Sequence, residues 1–201
     1  MRYNIAISGV GGLGILTLGR LFSRAAVSAG KNAIMSEIHG LAQRYGAVVV
    51  HVRISDGEIL APMIPSGRAD LLVSLEPVEA LRAAHVVGNK TIVILNSNII
   101  HPPTVAIGLE DYPDVRGLIE YLEKRCDRVF VCNALEVVRK YGDPRLQNTV
   151  LFGMASKLMN SFIPEECFLG AIEQEFGRKK KVFDLNLKAF REGQKLMSGG
   201  Y

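Results

Sequence analysis

A chain of 201 residues with 48% hydrophobic content, a mean hydropathy of +0.18 and a net charge of +4 is long enough to bury one sizeable core. Its aromatic residues are few and not interleaved with basic ones, which argues against nucleic-acid binding, and no apolar run approaches the roughly 18 residues needed to cross a bilayer. The sequence opens directly on a strand without a charged-then-apolar leader, so a cytoplasmic protein is expected, and a partner subunit is the natural outlet for so much apolar surface.

The first predicted strand, near residues 3–8, runs into Gly9-Val10-Gly11-Gly12-Leu13-Gly14. From there Leu13, Leu16, Leu18, Leu21, Phe22, Ala25 and Ala26 keep to one helical face, with Gly19 within the helix and Gly30 at its end. A second strand is expected over 31–36. The densest polar stretch of the chain follows, Ser36-Glu37-Ile38-His39-Gly40-Leu41-Ala42-Gln43-Arg44-Tyr45-Gly46, and a β-branched strand over 47–54 leaves it. Asp56-Gly57 predicts a turn and 58–63 a returning, paired strand. Strands over 70–75, 90–96 and 129–133 alternate with helices over 77–87 and 115–126, while Pro102, Pro103 and Pro113 predict irregular backbone over 100–113. Helices over 134–141, 147–162, 164–176 and 186–197 complete the chain. This order predicts an α/β fold: a three-layer α/β/α sandwich around a mainly parallel sheet, with a Rossmann-like glycine turn and a helical C-terminal region, in one domain over 1–201.

The strand–glycine turn–helix can hold a phosphate, because glycines let the backbone approach a ligand and the helix start presents unpaired N–H groups. A dinucleotide site would add an acid at the end of the second strand, and Glu37 falls about there. Close helix–strand packing explains the same glycines without a ligand. In the polar stretch and the strand after it, Glu37, His39, Gln43, Arg44, His51 and Arg53 cluster. They read either as an ion-pair network of Glu37, Arg44 and Arg53 that fastens a loop, or as a recognition surface for an anionic ligand or partner, since arginine matches carboxylate and phosphate in two-pronged fashion. Arg178-Lys179-Lys180-Lys181 reads as a solvated helix end or as an anion contact. Cys126, Cys132 and Cys167 are spaced too widely for a cluster motif and read as reduced core thiols. No nucleophile elbow or zinc spacing is evident, and no catalytic residue is assigned.

Gly9-Val10-Gly11-Gly12-Leu13-Gly14, the Ser36–Gly46 segment and Val52-Arg53 together resemble the gamma-type subunit or domain of the 2-oxoacid:ferredoxin oxidoreductases. Asn148-Thr149-Val150-Leu151-Phe152-Gly153 and Asn186-Leu187-Lys188-Ala189-Phe190-Arg191-Glu192-Gly193 extend the resemblance over essentially the whole chain. The polar segment is most similar to the small beta subunit of the indolepyruvate-oxidising branch, with Tyr45 as a departure. The resemblance implies an accessory subunit in the oxidative decarboxylation of an aryl-pyruvate, with coenzyme A as acyl acceptor and ferredoxin as electron acceptor. It places thiamine diphosphate, magnesium and [4Fe-4S] clusters on a large partner subunit. The residues agree: Ser55-Asp56-Gly57 lacks the first glycine of a thiamine motif, and cluster cysteines are missing. The surface expected to meet coenzyme A or substrate comprises Gly9, Gly11, Gly12, Gly14, Gln43, Arg44 and Arg53. The alternative is a stand-alone NAD- or flavin-dependent oxidoreductase, which rests on the glycine turn and Glu37.

Overall fold

The computed structural model describes residues 1–40 and 46–198. The run Ile5–Val10 at the end of β1 (Arg2–Val10) is buried throughout, as expected for a strand with neighbours on both edges and helices on both faces. β2 (Asn32–His39), β3 (Ala47–Ser55), β4 (Leu71–Ser74), β5 (Ile92–Asn96) and β6 (Arg128–Cys132) join it in a six-stranded sheet of order β2-β3-β1-β4-β5-β6. The pairs β1–β4, β4–β5 and β5–β6 are parallel, whereas β3 runs antiparallel to both β1 and β2. The sheet is therefore mostly parallel, with one reversed strand wedged beside β1.

Helices cover both faces, giving the three layers expected from the order of elements. On one face, α1 (Ile15–Ser28) lays Leu18, Leu21, Phe22 and Ala25 against Ile5, Ile7, Val50 and Val52. The same core takes in α5 (Ala134–Arg139), α6 (Gln147–Met159), α7 (Glu165–Phe176) and α8 (Lys180–Ser198), and is centred on Phe22, Phe152, Phe168 and Phe190. On the other face a smaller core joins Ala6, Leu72, Val93 and Leu95 to α2 (Pro77–Arg82), the 3-10 turn at 83–86 and α4 (Val115–Glu123).

Three expectations are corrected. Residues 58–63 form no strand. They cross the polar face of β3, where Arg53 donates to the carbonyls of Ala61 (2.7 Å) and Met63 (3.3 Å), so side-chain donors rather than a ladder satisfy this backbone. The proline-rich stretch holds a short helix, α3 (Pro103–Ala106), since a proline is tolerated in a first helical turn. The last helix begins at Lys180 rather than near residue 186, which places the lysine run at its N-terminus.

Candidate functional site

The glycine turn closes the C-terminal end of β1 at the point where the chain first leaves the sheet. Gly9 is packed tightly, with the position of a β-carbon 3.1 Å from both Ile15 and Leu75. Gly11 donates its N–H to the carbonyl of Gly46 (2.9 Å), tying the turn to the start of β3. Gly12 and Gly14 adopt φ values of 97° and 78°, a region that favours glycine. Gly14 is the N-cap of α1, which has neither a side-chain cap nor an acid in its first turn. The positive end of that helix is thus uncompensated by its own side chains.

The start of α6 lies against this turn. Asn148 donates from Nδ2 to the carbonyl of Leu13 (2.6 Å), across 135 residues of sequence. Thr149 donates to Oδ1 of Asn186 (2.6 Å), which joins α6 to α8. Between these pieces and the α7–α8 junction opens a cleft of about 530 Å³, a size suited to a small-molecule ligand. Gly12 to Gly14 form one wall, Asn148 and Thr149 the floor, and Arg178 and Lys179 the opposite rim. Two acids also line it, and both are neutralised: Asp143 by a two-pronged contact from Arg145 (2.9 and 2.8 Å), and Glu175 by Arg20 (2.9 Å) and Arg24 (3.2 Å). The Arg145 guanidinium holds the Asp143 carboxyl below the usual range.

The sequence-predicted residues separate. Gly12 and Gly14 face this cleft, and Gly9 and Gly11 support the turn behind them. Arg53 does not join them. It pairs with Asn4 in the β1–β3 register, five residues from Gly9 and so roughly 17 Å down the strand. There its guanidinium also donates to Oδ1 of Asn4 (3.0 Å), and among the described residues it meets no carboxylate. The proposed ion pair of Glu37 with Arg53 is thus not formed; Glu37 lies instead 3.3 Å from His39. Gln43 and Arg44 lie outside the described residues. His51 is fully buried, and its Nδ1 accepts the Ile64 N–H (2.9 Å). Burial, with His85 and Arg53 nearby, pushes its pKa down, so it is a neutral clamp on the 56–70 loop. Asn148, Thr149 and Asn186 were noted in the sequence only as resemblance, with no role attached.

The dinucleotide arrangement is also not reproduced. It needs the second strand beside the first, with its acid next to the glycine turn. Here β3 intervenes, which puts β2 and Glu37 two strand spacings, roughly 10 Å, from β1.

Comparisons with known proteins agree with this architecture. Residues 4–196 match the family described as pyruvate ferredoxin/flavodoxin oxidoreductase, and the chain belongs to that family. Among similar proteins, the indolepyruvate oxidoreductase subunit IorB of Archaeoglobus fulgidus is 44% identical over 193 residues, covering 96% of this chain and 94% of that one. The subunit of the same name from Methanothermobacter thermautotrophicus is 36% identical, with 96% of each chain covered. Among solved structures, the 2-oxoglutarate:ferredoxin oxidoreductase of Magnetococcus marinus, with 2-oxoglutarate, coenzyme A and succinyl-CoA bound, superposes with a TM-score of 0.77 at 18% identity. That match covers 100% of this chain and 32% of the larger one. The gamma subunit of a keto/oxoacid ferredoxin oxidoreductase from Geobacter sulfurreducens gives 0.71 at 21% identity, covering 98% and 99%.

Proposed function

We propose that this chain is the small accessory subunit of a cytoplasmic, ferredoxin-dependent 2-oxoacid oxidoreductase acting on aryl-pyruvates of the indolepyruvate type. The observation that carries the reading is similarity along the full length, at 34–44% identity, to four archaeal subunits named for indolepyruvate. In the overall reaction the bond between the 2-oxo carbon and the carboxylate breaks, carbon dioxide leaves, and the acyl carbon forms a thioester with coenzyme A. The thiol proton is released, and one electron passes to each of two ferredoxins.

The residues of this chain do not fit the cofactors that such chemistry needs. An iron–sulfur cluster takes thiolates. Burial pushes the Cys132 thiol up to about 12, and Cys126 and Cys167 are also raised. Cys126 packs on one face of the sheet and the other two on the opposite face. Among the described residues no group of three or more His, Cys, Asp or Glu side chains is arranged to hold a metal ion. Thiamine diphosphate, magnesium and [4Fe-4S] clusters are accordingly proposed for the large partner. Gly9, Gly11, Gly12 and Gly14, with Gln43 and Arg44 on the segment that follows β2, are proposed as this chain's surface toward coenzyme A or the substrate. Arg53 is held by Asn4 and the 61–63 carbonyls and is left out of that surface.

Co-expression with a thiamine-dependent, cluster-bearing large subunit tests the reading. The purified complex is expected to reduce ferredoxin with indolepyruvate in a coenzyme A-dependent reaction, faster than with pyruvate or 2-oxoglutarate, and neither chain alone is expected to do so. Turnover by this chain alone, or a preference of the complex for a non-aromatic acid, would overturn it.

A further inference from the structure

β2 lies at one edge of the sheet and is paired on one side only, by β3. Natural sheets protect such an edge with lysine, proline or a bulge. The eight residues of β2 include neither lysine nor proline, and their one acid, Glu37, lies against His39 (3.3 Å). Ala33 and Met35 turn toward the core that α1 covers, so Ile34, Ser36 and Ile38 face the other way by the period of two. On that second face the 56–70 loop takes the place of a helix. It reaches as far as Ser36, whose hydroxyl donates to the carbonyl of Pro62 (3.3 Å) and meets Sδ of Met63 (3.7 Å). The result is a ridge of uncovered apolar side chains beside an open strand edge: Leu60 is 84% exposed, Met63 43% and Ile38 41%.

The same surface holds positive charge without a counter-charge. Arg2 and Arg53 line a hollow of about 90 Å³ beside Leu60. Arg53 commits Nε and Nη1 to neutral acceptors, Oδ1 of Asn4 and the carbonyls of Ala61 and Met63, and exposed Arg2 has no ion-pair partner among the described residues. Asp56, the acid nearest Arg53 in sequence, is held by Lys31 (2.7 Å). The hollow is well below the roughly 300–1,000 Å³ of small-molecule sites, but it admits a carboxylate side chain, the group that a guanidinium matches in shape and charge.

We propose that this face is where the large subunit docks. An extended, mainly apolar segment of that subunit runs along β2 as a further strand, lies over Leu60, Met63 and Ile38, and places a carboxylate against Arg2 and Arg53. Main-chain bonds to the open edge supply affinity, and the apolar ridge and the arginine hollow set the register. The proposal rests on the accessory-subunit reading and deepens it. The choice of occupant follows from chain length among relatives. The ketoisovalerate oxidoreductase subunit VorA of Methanothermobacter thermautotrophicus is 28% identical over 189 residues, a match that covers 94% of this chain but 35% of that one. The IorB relatives consist of little beyond the matched region. A unit that VorA carries within a longer polypeptide must, as a separate chain, be held to its partner through a surface.

The test recombines the full chain with the separately purified large subunit, measures the dissociation constant, and follows amide hydrogen exchange in the complex. The double variant Leu60→Asp/Met63→Asp, at exposed positions that leave the core untouched, is expected to weaken assembly at least about tenfold, and Arg2→Glu about threefold or more. The matched variant Ile107→Asp/Leu109→Asp changes two exposed apolar residues that follow β5, four strand positions from β2, and is expected to leave assembly unchanged. Amides of residues 32–39 are expected to exchange more slowly in the complex than in the free chain. Three results overturn the proposal while the accessory-subunit reading stands: a Leu60/Met63 variant that assembles as tightly as wild type, equal weakening in both double variants, or unchanged exchange over 32–39 in a complex that forms. Self-association of the free chain that the Leu60/Met63 variant abolishes would assign the face to a second copy and also overturn it. Failure of the wild-type chain to bind the large subunit would overturn both readings together.

Discussion

Glu79 lies in the first turn of α2, almost fully buried, with one carboxylate oxygen 3.3 Å from Nε of Arg82 and the other without a partner. Its neighbour Glu76 is better served. One oxygen caps the Glu79 N–H (3.0 Å), and the other accepts the hydroxyl of Tyr112, whose pKa burial and that carboxylate push up. Burial raises Glu79 to about 7, against a partial offset from Arg82, so a carboxyl that ionises at 4.5 in the unfolded chain stays protonated to near neutrality in the fold. A raised acid pKa contributes stability that is complete below about pH 4.5 and is lost as pH rises through 7. The shift corresponds to about 3 kcal/mol. Glu79→Gln, which keeps an acceptor for Arg82 and removes the titration, is expected to shrink the fall in melting temperature between pH 5 and pH 8 by several degrees. Thermal scans of both proteins across that range check it, and an unchanged slope would show that Glu79 ionises freely.

At the scale of elements, the tightest joint is the crossing of α6 and α8. Gly153 faces the backbone of Phe190, and Gly193 faces the carbonyl of Val150 and the amide of Met154, so a β-carbon on either glycine would collide with backbone rather than with a movable side chain. Gly193→Ala must push the helices apart and loosen Phe190 from Phe152, whose ring centroids lie 5.9 Å apart. A loss of about 1–3 kcal/mol or more is expected, read as a lower urea midpoint, because overpacking a close-packed core forces backbone shifts. Wild-type stability in that variant would mean the helices pack less closely than described.

This joint also marks what the sequence could and could not convey. The apolar runs of β1, β4 and β5 are legible because strands buried on both faces need such residues whatever surrounds them. The glycine turn is legible because the positive φ of Gly12 and Gly14 is a local requirement. The start of α8 was not, since Lys179 to Lys181 carry no apolar period and no capping signal. Residues 58–63 misled because their apolar character suits a strand, while their actual partners are the side chains of Arg53 and Ser36 across the loop. The cleft was illegible for a different reason. Its wall and floor, Gly14 and Asn148, meet only through the fold, and no short-range pattern links them.

Considered as a whole, the molecule is unequally divided about its sheet. The larger core runs without a break from Ile5 on β1 through Val50 and Val73 to Phe168 on α7 and Phe190 on α8. The C-terminal helices are therefore not an annex, because they cover strands that would otherwise expose apolar faces to water. Phe190 and Ala189 are fully buried, and Asn186 fixes Thr149. Removing α8 would uncover Phe152 and much of α6, and would also take Val182 and Asn186 from the lining of the cleft. A domain of this size that folds as one cooperative unit cannot lose such a face without losing the transition itself. A chain ending at residue 179 is accordingly expected to show no cooperative heat-absorption peak, with near-ultraviolet signal lost while some far-ultraviolet signal persists, as in a collapsed state without fixed packing. A truncated chain that still melted in one sharp transition would instead divide the protein into an N-terminal sheet unit and a separable helical tail.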